Sequence, residues 1–363
     1  MKYIDEFRRI GLVRKAADKI KDIAPAESIN IMEVCGTHTQ NFFRFGLGKL
    51  LPANIKFISG PGCPVCVSDQ QYIDKAIAYA AEKDVIVLTF GDMLRVPGTS
   101  STLEKERAKR GNVFVVYSAM DALALAKNNP WQKIVFLAVG FETTASTFAL
   151  SAIEAKKEKI KNLFFFSSLK TIPAAMNHLL LDERINISGF ICPGHVSAII
   201  GARPYGFIPE KYGIPCCVTG FEPLDILEGI YLILRQIAEG KPRVENQYKR
   251  VVARNGNLKA QRIIAEVFEP AVASWRGLGS IPESGLKFKR PFFTFDAERA
   301  IPIKIKQRPE GPKQKLCRCA EVIKGIIKPD ECALFRKSCT PENPYGPCMV
   351  SIEGTCNAYY KYR

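Results

Sequence analysis

The sequence predicts an α/β protein: two parallel-sheet α/β halves facing a cleft, plus an irregular C-terminal iron–sulfur domain. Three observations lead there. Short apolar runs alternate with helical patterns from about residue 28 to 238, as βαβ units require. Most of those runs are apolar without alternation, which suits strands covered on both faces by helices. Six of the twelve cysteines crowd into 317–363, a stretch with too few long apolar side chains to offset its ordering entropy unaided, so that metal or covalent bonds must hold it.

Residues 1–27 form an amphipathic, charged N-terminal helix. A first α/β domain over 28–128 takes its strands from SINIMEV (28–34), NIKFIS (54–59), DVIVLTF (84–90) and NVFVVY (112–117). A second, over 129–240, takes KIVFLAV (133–139), NLFFFSS (162–168), ISGFIC (187–192) and PCCVT (215–219). The boundaries are placed at Asn128-Asn-Pro and Gly240-Lys-Pro. GFETT (140–144) and GFEP (220–223) follow strand-like runs in a faint internal echo. Residues 241–363 hold a helix at LKAQRIIAEVFEP (258–270), an irregular lid or platform up to about 316, and the Cys-rich segment.

Lys and Arg number 52 against 36 Asp and Glu, a net charge of +16. The charge is spread along the chain. Runs such as EKERAKR (104–110) and EAKKEKIKN (154–162) alternate in sign or fall on helix faces and read as solvated surface, so no nucleic-acid partner is expected. No uncharged apolar stretch reaches the roughly 18 residues of a membrane span. A cytoplasmic protein without membrane association is the expectation.

Unusual residues fall at strand ends, where ligands bind in open α/β sheets. Cys35 lies at a strand-to-helix junction, with Thr37 or Thr39 available to cap the helix and His38 three residues on; a thiolate beside an imidazole suits a nucleophile or a soft metal ligand. Cys63 and Cys66 form a C-P-V-C pair before a helix that Ser68 or Asp69 can cap, a placement that lowers a thiol pKa and suits redox chemistry; half of a zinc site is the alternative. His195 follows Pro193-Gly, and Glu142 and Glu222 occupy matching strand ends, where they could orient a ligand or close a domain contact. Cys192, Cys216 and Cys217 read as buried small hydrophobes, and His178 as a satisfied or surface histidine.

In the terminal segment no C-x-x-C occurs, which favours an iron–sulfur cluster over zinc. Cys317, Cys332, Cys339 and Cys356 supply four candidate thiolates, leaving Cys319 and Cys348 as a spare redox pair.

CGTHTQ, GPGCPVC, GFETT, PGHVSAIIG, CCVTGFEPLDIL and the terminal CTPENPYGPCMVSIEGTC occur in one order that resembles the HypD family of hydrogenase maturation factors, from about residue 30 to the end. The resemblance implies a scaffold rather than a conventional turnover enzyme. On it the Fe(CN)2CO group of [NiFe]-hydrogenase would be assembled, in complex with a HypC-type chaperone and with cyanide received from a HypE-type donor. It implies Cys35 as the iron ligand from this chain, with a cysteine of the chaperone as the other, and a [4Fe–4S] cluster on Cys317, Cys332, Cys339 and Cys356. A relay from the cluster and Cys319/Cys348 through Cys63/Cys66 to Cys35 is expected with it. The alternatives are a thiol–disulfide oxidoreductase acting on proteins through C-P-V-C, and a zinc-stabilised nucleic-acid-binding module.

Overall fold

In the computed structural model, which describes residues 2, 4–305 and 316–363, strands form where the apolar runs put them. These are β1 (Ile29–Glu33), β2 (Ile55–Ser59), β3 (Val85–Thr89), β4 (Val113–Val115), β5 (Lys133–Gly140), β6 (Leu163–Leu169), β7 (Gly189–Cys192) and β8 (Cys216–Val218). Helices α1 (Ile10–Ile23), α2 (Gly36–Arg44), α3 (Gln70–Ala81), α4 (Leu103–Arg110), α5 (Asp121–Asn128), α6 (Glu142–Lys157), α7 (Ile172–Leu179), α8 (Gly194–Ile200), α9 (Phe207–Tyr212), α10 (Pro223–Glu239) and α11 (Leu258–Val267) lie before, among and after them. With β9 (Val244–Asn246), the strands build two parallel sheets of order β2-β1-β7-β8-β9 and β4-β3-β5-β6.

Sheet membership does not follow the division at residue 128. β1 pairs with β2 on one side and β7 on the other, so the first sheet draws strands from both sides of that boundary. The second sheet, β3 to β6, runs straight through it. A strand that is apolar on both faces carries no mark of which neighbour it takes, so the runs located the strands but not their partners.

Successive side chains on a strand face opposite ways, and the core is organised accordingly. Met32 and Val34 join a cluster shared with Val85, Val87, Val135 and Leu137 of the second sheet. Ile29 and Ile31 pack instead with Ile20 of α1 and Ile230 of α10, while Ile86, Leu88, Ile134 and Phe136 meet Phe148 of α6. Each such fully buried side chain contributes about 1.5–3 kcal/mol relative to exposure.

The expected irregular platform contains an antiparallel hairpin instead, β10 (Phe268–Trp275) and β11 (Gly279–Phe288), with a register shift between Ala271 and Ala273. FEPAVASW does alternate between covered and exposed positions. Pro270, which sits on this hairpin opposite Leu286, and the Pro and Gly residues of GSIPESG concealed the pattern. The part of the platform at 306–315 lies outside the described residues.

The Cys-rich segment consists of short pieces, the helices Cys319–Ile323, Pro347–Val350 and Thr355–Tyr362 and a single turn at Pro329–Glu331. It does not stand apart as a domain. Cys319, Cys348 and Val350 belong to the same central core as Met32 and Val87, and Tyr359 packs edge-on against Phe43 of α2 with ring centroids 4.5 Å apart. No helix among the described residues is long and apolar enough to cross a membrane.

Candidate functional site

The carboxyl end of β1 delivers Cys35 to the first turn of α2. Neither Thr37 nor Thr39 caps that helix, contrary to expectation: Cys35 occupies the N-cap position without a side-chain cap bond, and both threonines are engaged elsewhere. The Thr37 hydroxyl donates to Glu353 (2.8 Å), and Thr39 donates to the buried carboxyl of Glu33. Glu33 also accepts from the Cys35 amide at 2.7 Å.

Two loops, those of Gly62 and Glu353, close on the Cys35 junction, and glycines make the approach possible. A Cβ on Gly62 would lie 2.2 Å from the Cys35 nitrogen, and one on Gly36 would lie 2.4 Å from Glu353 Cβ. The result is a covered thiol, 7% exposed. Burial pushes its pKa up, and the neighbouring carboxyls of Glu353 and Glu33 push the same way, while the amides of Thr37 and His38 favour the thiolate. Glu33 itself is raised to about 8, because desolvation outweighs its hydrogen bonds from Thr39, Cys35 and Ser59.

Among the described residues no hydrogen bond joins His38 to the Cys35 sulfur. It is fully buried, and its Nε2 lies 2.8 Å from the Gly220 carbonyl oxygen and 2.9 Å from Thr219 Oγ1. A carbonyl only accepts, so Nε2 carries the proton and Nδ1 is a buried acceptor with no partner among the described residues. Desolvation lowers the His38 pKa to about 4 and also lowers that of His195. The two imidazoles flank Phe221, with ring centroids 4.7 Å and 4.0 Å from it.

Cys63 and Cys66 are joined as a disulfide on a turn, separated from α3, which Asp69 caps by accepting from the Tyr72 amide at 2.8 Å. They are 5% and 1% exposed, a covered pair rather than thiols open at a helix N-terminus. Cys66 Sγ lies 3.9 Å from the carbonyl oxygen of Pro347, the residue before Cys348, so the C-P-V-C loop abuts the C-terminal segment.

The C-terminal thiols come together with one another. Cys319 lies near enough to Cys317 and Cys348, and Cys348 to Cys356, for each thiol to shift the ionisation of the next. Burial raises the Cys339 thiol pKa, and the nearby Cys317 and Cys332 push it the same way. The structure therefore brings Cys319 to Cys348, but does not separate that pair from the other four. Among the described residues no three His, Cys, Asp or Glu side chains converge as the ligands of a single metal ion.

The remaining candidates are dispersed. Glu142 lies at the second sheet, where it accepts from the Ile172 amide (3.0 Å) and is raised by burial to about 7. Glu222 stands at the N-cap of α10, where its amide donates to Asp225 at 3.2 Å, and its carboxylate pairs with Arg8, so it closes a contact with the N-terminal segment. Cys192, Cys216 and Cys217 are fully buried, and His178 bonds the Leu278 carbonyl oxygen at 3.1 Å. Glu33 and Glu353 went unnoticed in the sequence: Glu33 sits inside an apolar strand, and only the fold brings Glu353 to Cys35.

Comparison with known proteins agrees with the motif order. A family model described as HypD, hydrogenase formation hypA family, matches residues 11–363. The chain is 42% identical over 371 residues to the hydrogenase maturation factor HypD of Cupriavidus necator, covering 100% of this chain and 97% of that protein. It is 42% identical over 370 residues to HypD of Escherichia coli, covering 100% and 98%. Hydrogenase expression/formation protein HupD of Azotobacter chroococcum is 43% identical over 370 residues, covering 100% and 97%.

Proposed function

The chain belongs to the HypD family of hydrogenase maturation factors, and from that premise we propose that it is the scaffold on which the Fe(CN)2CO group is assembled. The iron is cargo, held by Cys35 and by a cysteine of a HypC-type chaperone, with cyanide arriving from a HypE-type donor. The observation that carries the proposal is the meeting of three cysteine-bearing loops: Gly62 of the C-P-V-C loop packs on Cys35, Cys66 approaches Pro347, and Glu353 closes over Gly36.

Cys317, Cys332, Cys339 and Cys356 would hold a [4Fe–4S] cluster. Their fit is supported by the donor chemistry and by Gly346, where a Cβ would come within 2.9 Å of Cys317 Sγ, so that the glycine leaves room beside the sulfur. The absence of any C-x-x-C pair in this segment favours a cluster over a single zinc ion. When bound, a cluster supplies one-electron transfer. This chain's own residues do the rest: Cys319 with Cys348, and Cys63 with Cys66, can each hold or release an electron pair as a disulfide or two thiols. Burial above all, and then Glu353 and Glu33, disfavour a bare Cys35 thiolate, so that the thiol loses its proton when a cation takes that place.

The burial of Cys63 and Cys66 argues against an oxidoreductase that presents C-P-V-C to protein substrates. Anaerobic analysis tests the cluster: iron and sulfide in a one-to-one ratio are expected, and stoichiometric zinc without sulfide would contradict it.

A further inference from the structure

Lys170 is a buried charge that the assembly role leaves unused. It follows β6 directly, at the carboxyl edge of the second sheet. The residue is 3% exposed, and no ion pair to a carboxylate is found for it among the described residues. Its Nζ donates to the Ser274 carbonyl oxygen at 2.7 Å and lies 5.4 Å from the centre of the Trp275 ring. One acceptor and one aromatic face satisfy only part of an ammonium group with three donors. Burying a cation with no carboxylate in contact is costly, and desolvation lowers its pKa to about 8, with the Asp69 carboxylate on the same wall opposing that shift only in part.

Lys170 lines a cavity of about 380 Å³ between α3, β6 and the hairpin, with Asp69, Tyr72, Ser168, Ala271 and Ser274 among its walls. That volume is in the range of small-molecule sites. The other lysines of the lining are already matched, Lys75 by Glu298 and Lys287 by Glu269. Asp69, Asp296 and Glu298 on the same walls would repel a multiply charged anion. The cavity also adjoins the C-P-V-C loop, since Ser168 Oγ lies 3.3 Å from Ser68 Oγ.

We propose that this cavity binds a small monocarboxylate, with Lys170 as the cation that matches its single charge. The site is independent of the assembly role. Trp275 reports on it, because the chain has two tryptophans and the other, Trp131, is 94% exposed and replaceable. In a Trp131→Phe background, titration with formate, acetate and propionate should give a saturable change in Trp275 fluorescence, with phosphate and sulfate binding at least ~10-fold more weakly. Lys170→Met should abolish the change. Ala271→Leu, which keeps the lysine and fills the cavity, should abolish it too and carries the test if the first variant does not fold. No saturable response to any monocarboxylate, equal binding of the dianions, or a response that survives Ala271→Leu would overturn the proposal.

Discussion

The Thr37 hydroxyl donates a 2.8 Å hydrogen bond to the Glu353 carboxylate, so the helix that begins beside Cys35 is tied to the Cys-rich segment. Thr37→Val should cost about 1–3 kcal/mol, because it leaves a largely buried acceptor unpaired, and Thr37→Ser should restore most of it. Denaturation midpoints of the two variants check this. Equal stability of Thr37→Val and the parent would show that the link contributes nothing.

The two sets of terminal cysteines should separate by metal content. Cys332→Ala and Cys339→Ala should lose iron and sulfide together, whereas Cys319→Ala and Cys348→Ala should retain both. The reverse pattern would mean that ligands and redox pair are exchanged.

Much of this was legible in the sequence because it is local. The eight apolar runs marked β1 to β8, and the strand ends marked Cys35 and the C-P-V-C pair. Partner choice was not legible, so β1 pairing with β7 came from the fold. The β10–β11 hairpin hid behind its prolines, and Glu353 reaches Cys35 only through contacts distant in sequence.

Glu142 gives a pH signature away from the cysteines. Its folded pKa is raised from 4.5 to about 7, so below 4.5 both folded and unfolded forms hold the proton, and as pH rises through this window the unfolded form gives it up first. Stability is therefore lost between about pH 4.5 and 7, by at most about 3 kcal/mol. Glu142→Gln keeps an acceptor for the Ile172 amide and should remove that slope. A variant with an unchanged stability profile against pH would contradict the assignment.

The most direct test of the scaffold role is the infrared spectrum of the anaerobic complex with the small chaperone, recorded for the parent chain and for Cys35→Ala. The parent should show the bands of metal-bound cyanide and carbonyl, and Cys35→Ala should lack them while keeping its fold and its iron–sulfur content. Bands of parental intensity in the Cys35→Ala complex would show that the iron is held elsewhere.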